Sequence, residues 1–187
     1  MEPCIQTFTG KKFWPLVPRA EDICIEDIAH SLSLKCRFGG HCGMFYSVAQ
    51  HSVLVSELLE PSTESTLLWG LLHDAAEAYL PDFSAPIKDY FDAKWKGAEY
   101  HISYLEYQIN YCIHGAFGIP SSSYNHRIIK AADLKALATE REQLMSEGFG
   151  WDGLKGIEPA PVCITPLIPI QAENLFLKRF HKLMRVA

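Results

Sequence analysis

The run TLLWGLLHDAAEAY, from Thr66 to Tyr79, constrains this chain more than any other segment. Leu67, Leu68, Leu71, Leu72 and Ala75 clothe a helix on almost every side instead of along one stripe. A helix that is apolar all round belongs at the enclosed centre of a helical domain. Yet the same helix carries His73, Asp74 and Glu77. Burying three ionisable groups without partners costs on the order of several kcal/mol. Something must offset that cost, and a metal ion with supporting hydrogen bonds around its ligands does so.

The flanking sequence predicts more helices. Ile25, Ile28, Ala29 and Leu32 follow the i, i+3, i+4, i+7 pattern of one buried stripe, in a helix that ends before Gly39-Gly40. Ser47 with Gln50 forms a capping box, so the next helix begins at Ser47 and holds His51 in its second turn. Ser84 and Pro86 open a short helix, with Tyr79 to Asp82 as the connection into it. A long helix is expected from about Lys94 to Phe117, with Ala98, Ile102, Leu105, Ile109 and Ile113 on one face and Gly118 beyond its end. Another runs from about Asn125 to Glu147. The stretch from Gly148 to Pro169 should be irregular but ordered, because Trp151, Leu154, Ile157 and Ile164 need burial. A last amphipathic helix holds Leu175, Phe176, Phe180 and Leu183. Residues 5 to 14, with β-prone Ile5, Thr7, Phe8 and Phe13 around Thr9-Gly10, read as a small hairpin appended to this bundle. The expected fold is all-α with a small N-terminal β-hairpin, and residues 1–187 form one domain.

With 187 residues and 48% hydrophobic content, the chain can bury one substantial core. Its net charge is −5 and it has no run of Lys or Arg, which argues against polymeric nucleic acid or an anionic membrane surface as partners. The N-terminus lacks the pattern of a signal peptide, and no stretch reaches the roughly 18 apolar residues of a membrane span. A cytoplasmic location follows as an expectation. The six cysteines include no C-x-x-C, and a reducing compartment keeps them as thiols; Cys36 and Cys42, flanking a Gly-rich loop, read as small packing residues.

His51, His73, Asp74 and Asp133 together offer two imidazoles and two carboxylates to one divalent ion, leaving part of an octahedral shell open for water and a substrate oxygen. That is hydrolase chemistry. This donor set suits Mn, Co, Zn, Fe or Ni. The segments carrying it, YSVAQHSVLVSELL, LLHDAAEAYLPD and IIKAADLKALATE, each read as helix. Over about residues 25 to 145 the sequence resembles the HD-domain metal-dependent phosphohydrolase superfamily. It is most similar to the small branch of bacterial 5′-deoxynucleotidases and phage dATP triphosphohydrolases, which share HD-x-x-E, a following Asp, and P-[IV]-K. Here these are His73, Asp74, Glu77, Asp82, Pro86, Ile87 and Lys88.

The resemblance implies an HD-domain helical bundle in which His51, His73, Asp74 and Asp133 ligate one metal. On a helix Glu77 shares a face with His73, where it either takes the proton of the activated water or orients His73. The resemblance puts Asp82 at the reacting phosphate, as general acid or water-positioning group; the bland alternative is a turn residue after Pro81. It also puts Arg37 on phosphate and Phe38, where the branch has Trp, against the sugar's C2′, a contact that would exclude a ribose hydroxyl. Lys88, near the start of the helix opened by Pro86, either faces phosphate or is a solvated surface lysine. His41 reads as structural, and His30, His101, His114, His126 and His181 have no partner pattern.

The implied reaction is hydrolysis of a 2′-deoxynucleotide, foremost dATP, to deoxynucleoside and triphosphate, with a second Mg arriving on the substrate. A 5′-deoxynucleotidase acting on dNMPs is the alternative within the class. From another class, the chain could be a silent HD module that senses nucleotides or assembles with partners. Aromatic-rich helix faces after Pro86 point to a homo-oligomer.

Overall fold

The computed structural model describes residues 3–94 and 101–185. It is mostly helical, with seven α-helices and one two-stranded antiparallel sheet among the described residues. β1 (Ile5–Gln6) pairs with β2 (Lys12–Phe13), and Gly10, at φ 83°, closes the turn with its N–H on the Thr7 carbonyl at 3.0 Å. The hairpin is more than an appendage. Thr9 donates its N–H and its hydroxyl to the buried Asp27 carboxylate at 2.7 and 2.9 Å, and the fully buried Phe13 ring stacks on Tyr79 at 3.9 Å.

Helix α1 (Ile25–Leu34) buries the predicted stripe, Ile25, Ile28, Ala29 and Leu32. Helix α2 (Val48–Leu58) starts where Ser47 predicts, its side-chain oxygen accepting from the Gln50 N–H at 3.2 Å. The capping box does not close, because the Gln50 side chain is spent elsewhere: it donates to the Thr165 carbonyl at 2.8 Å and accepts from the Leu167 N–H at 3.0 Å. Helix α3 (Glu64–Leu71) begins at Thr63, whose side chain accepts from the Thr66 N–H.

The single helix expected over residues 66–79 breaks at its C-terminal half. After the Leu72 N–H to Leu68 carbonyl bond, the chain tightens into three-residue turns, Ala75 N–H to Leu72 and Glu77 N–H to Asp74, both at 3.0 Å. Leu72 (φ −103°, ψ 8°) and Asp74 (φ −100°, ψ 12°) leave helical geometry. The burial forecast holds all the same, since Leu67, Leu68, Leu71, Leu72 and Ala75 are all buried.

Helix α4 (Ala85–Lys94) is the short helix expected from Ser84 and Pro86. The long helix expected from about Lys94 is α5 (Ile102–Ala116), and Ala98 lies outside the described residues. His101 caps α5, its Nδ1 accepting from the Tyr104 N–H at 3.2 Å. Gly118, at φ 63°, follows the end of that helix as the sequence predicts. Helix α6 (His126–Leu144) is capped by Asn125, and helix α7 (Pro169–Met184) starts on its proline. The segment between them is irregular but tied to α6: Thr139 Oγ1 accepts from the Ala160 N–H, and the Gln143 side chain bonds Val162 and Ile164, each at 2.8 Å. Leu154 is buried there, while Trp151, Ile157 and Ile164 are half-buried.

Helix α2 packs against α1, α3, α6 and α7, and one buried apolar cluster runs from Phe13 to Leu183. Among the described residues no helix is long and apolar enough to cross a membrane.

Candidate metal centre

Three elements deliver the four expected ligands: His51 from α2, His73 and Asp74 from the tightened turn after α3, and Asp133 from α6. In a regular α-helix, His73 and Asp74 would diverge by about 100°. The break at Leu72 removes that constraint, and His73 Nε2 lies 3.2 Å from Asp74 Oδ2. His51 Nε2 is 3.3 Å from His73 Nε2 and 3.6 Å from Asp74 Oδ2. Donor atoms of His51, His73 and Asp74 all lie within 4.8 Å of one another, so this group could hold a metal ion. Asp133 stands at its edge, with Oδ1 at 3.4 Å from His51 Nε2 and 4.0 Å from His73 Nε2, while its Oδ2 accepts from Lys130 at 2.7 Å.

The hydrogen bonds fix which way the imidazoles face. His73 Nδ1 lies 2.7 Å from the Gly70 carbonyl, which can only accept, so Nδ1 carries the proton and Nε2 turns a lone pair to the cluster. His51 Nδ1 lies 2.6 Å from Glu140 Oε1. Burial and Arg37 pull the His51 pKa down, but Glu140 and Asp133 prevail and push it up to about 9. Burial raises the Asp74 carboxyl, and His73, His51 and Arg37 reverse this, holding it well below the usual carboxylate range. Asp133 is likewise held low by His51 and His73 against its burial. A pocket that sets His51 Nε2 3.4 Å from the Asp133 carboxylate and 3.6 Å from that of Asp74 is built for positive charge. The donor set fits a divalent cation of the borderline class.

Sequence reasoning missed Glu140. It lies two turns beyond Asp133 on α6, the same side of the helix, and that spacing was the available signal. Its carboxylate is fully buried and accepts from Arg37 Nη2 at 3.1 Å. Arg37 Nη1 is 3.8 Å from Asp74 Oδ2, and Arg37 Nε is buried with no hydrogen-bond partner. Burial alone would lower the Arg37 pKa; Glu140, Asp74 and Asp133 raise it, so the guanidinium stays charged. Arg37 therefore belongs to the cluster, held between Glu140 and Asp74.

Phe38 follows in a left-handed conformation, φ 56°, ψ 27°, with Gly39 at φ 57°. For a non-glycine residue this costs roughly 1 kcal/mol or more and persists where the surroundings impose it. The ring meets Trp151 edge-on at 6.0 Å, so the irregular segment after α6 supplies a second aromatic beside the Arg37 loop. Across that loop the Cys36 and Cys42 thiols meet at 3.5 Å, and both are free.

Glu77 is mostly enclosed, and its Oε2 has no hydrogen-bond partner. Burial, then Asp74 and Asp82, push its carboxyl up to about 8. Because the α-helix has ended, the i, i+4 argument that paired Glu77 with His73 does not apply, although the charges of Asp74 and Arg37 still act on its carboxyl. Lys35 donates to the Glu77 and Leu80 carbonyls and so pins this turn to the end of α1. Asp82 is exposed in the next loop and acts on both Glu77 and Lys35. Lys88 is less available than expected, since its ammonium bonds both Glu106 oxygens at 2.8 Å.

No family model matches the sequence. The chain is 39% identical over 181 residues to the uncharacterized protein YfdR of Escherichia coli, covering 96% of this chain and 94% of that protein. It is 35% identical over 192 residues to an uncharacterized protein of Rhodobacter capsulatus, covering 95% and 93%. With such identity along nearly the whole of both partners, the chain belongs to the same family as YfdR.

Proposed function

We propose that this protein is a cytoplasmic, metal-dependent phosphohydrolase of 2′-deoxynucleotides, of the HD-domain type, acting foremost on dATP. The observation that carries the reading is the convergence of His51, His73 and Asp74 within 4.8 Å, with a charged arginine, Arg37, 3.8 Å from the same Asp74. Cation and anion sites side by side are what phosphoryl transfer needs, since its catalysis is mostly positioning and charge neutralisation. When bound, a divalent ion such as Mn, Co, Zn, Fe or Ni supplies Lewis acidity to the phosphate and to the attacking water.

The chain's own residues supply the remaining parts. Glu77, with an unpartnered buried oxygen and a carboxyl raised to about 8, accepts the proton of the water that attacks the α-phosphorus when it is ionised, a form that grows as pH rises towards 8. The new bond is phosphorus to water oxygen; the bond broken is phosphorus to the 5′-oxygen, which leaves as the deoxynucleoside hydroxyl. Asp82, exposed in the adjoining loop, assists that leaving oxygen or holds a substrate-borne Mg. Arg37 neutralises phosphate charge. Lys88 contributes only when a phosphate competes successfully with Glu106, its present partner. Phe38 packs against the sugar.

The test is the product. Incubated with dATP and a divalent transition metal, the protein should release deoxyadenosine and intact triphosphate, resolved chromatographically from pyrophosphate and phosphate. Stepwise orthophosphate release would show γ-attack. Cleavage of dAMP with inactivity on every triphosphate would make it a nucleotidase, and inactivity on the whole panel of dNTP, NTP and dNMP would refute the enzymatic reading.

A further inference from the structure

We propose that Glu140 is a positioning residue that ties the metal ligand His51 to the anion-binding Arg37, making cation and anion binding depend on one buried carboxylate. For the metal this rests on the cluster alone; for the anion it rests on the phosphohydrolase reading.

A carboxylate with no exposure is tolerated only when its oxygens are filled with donors. Glu140 meets that condition: Oε1 takes His51 Nδ1 at 2.6 Å and Oε2 takes Arg37 Nη2 at 3.1 Å. A guanidinium is permanently charged, and a carboxylate held against it at 3.1 Å with no solvent exposure is its counter-ion, so Glu140 is ionised. An ionised carboxylate only accepts. It therefore holds the proton of neutral His51 on Nδ1 and leaves Nε2 as a bare lone pair, 3.4 Å from Asp133 and 3.6 Å from Asp74. The opposite tautomer would set a lone pair against a carboxylate and turn an N–H towards the metal. The bond also raises the basicity of His51 as a ligand.

The second oxygen acts on Arg37. With Nη2 on Glu140 and Nη1 towards Asp74, the guanidinium is fixed at the edge of the cluster, its charge in place before an anion arrives. Without Glu140, a buried guanidinium and a divalent cation would repel across a few ångströms. Three carboxylates, Asp74, Asp133 and Glu140, balance one divalent ion and one arginine.

The test uses the full-length protein with Co2+ as metal probe, followed by its visible d–d absorption, and inorganic triphosphate as anion probe. Glu140→Gln should lower Co2+ affinity roughly 10- to 100-fold, alter the d–d spectrum, and weaken the triphosphate-induced spectral change. Glu140→Asp should recover part of both. Glu142→Gln, an exposed neighbour on the same helix, should change neither. Nitrogen NMR should find neutral His51 as the Nδ1–H tautomer in the metal-free protein, and a mixture in Glu140→Gln. To separate positioning from rescue of a stranded charge, the double variant Arg37→Gln/Glu140→Gln removes both partners. Persistent loss of Co2+ affinity there supports the proposal. Recovery to the level of Arg37→Gln alone would overturn it, leaving Glu140 as a mere counter-ion. Wild-type metal affinity and spectrum in Glu140→Gln would also overturn it, without touching the phosphohydrolase reading. A wild-type protein that binds no Co2+ would overturn both. Co2+ binding without any response to triphosphate in the wild type would refute the link to anion binding.

Discussion

Acid should weaken the fold through His114, and the structure gives the size of the effect. His114 lies on α5 with only 5% exposure, its ring stacked on Trp69 of α3 at a centroid distance of 3.4 Å. Nδ1 donates to the Asn110 carbonyl at 2.6 Å, and Nε2 is buried without a partner. Burial therefore drives its pKa from 6.5 down to about 4, against a smaller opposing push from Asn110. The folded state resists a proton that the unfolded chain accepts. The stability tied to a neutral His114 is thus complete above pH 6.5 and is lost progressively as pH falls towards 4. At about 1.4 kcal/mol per pH unit, the loss approaches 3 kcal/mol, and is roughly 2.5 kcal/mol at pH 4.5. Against the 5–15 kcal/mol typical of a domain, that is a large fraction. Replacing His114 with Phe keeps a ring against Trp69 and removes the titration. Urea unfolding of both proteins between pH 7.5 and 4.5 isolates this contribution, because acidic groups such as Asp74, Asp133 and Glu140 affect both curves alike. The wild type should lose about 2.5 kcal/mol more than His114→Phe. Parallel curves would refute the reasoning.

Other outcomes follow from the metal cluster. His73→Ala or Asp74→Ala should abolish bound metal and turnover together, as read by elemental analysis and phosphate release; a variant keeping full metal and rate would sink the site. Glu77→Gln should keep its metal and lose roughly 10²- to 10⁴-fold in rate, whereas loss of metal as well would make Glu77 a ligand. Since His51 in the metal-free protein holds its proton up to about pH 9, metal binding at pH 7 should release about one proton. An indicator dye in weak buffer would detect it, and affinity should climb with pH until about 9. Phe38→Ala should raise activity on ribonucleotides relative to deoxyribonucleotides, and an unchanged ratio would remove Phe38 from the sugar pocket.

Features set by local chemistry were legible in the residues alone. The apolar run from Leu67 to Ala75 had to be enclosed, Ser47 and Asn125 had to start helices, and Gly118 had to follow the end of one; each outcome depends on residues within a turn or two. The His-Asp doublet announced the cluster because ionisable groups on a buried segment require compensation. Other features arise only from packing. Only the two-turn spacing from Asp133 separates Glu140 from Glu142 on α6, and its partners come from folding, which sets His51 and Arg37 against the first and solvent against the second. Gln50 abandoned its capping box for Thr165 and Leu167, more than a hundred residues away. Lys88 met Glu106, and Trp151 met Phe38, for the same reason. The helix break at Leu72 was hidden too, since helix propensity favours continuing through HDAAEA. It gave way to tight turns where His73 and Asp74 come together beside His51, a geometry that a regular helix, with about 100° between successive side chains, does not provide.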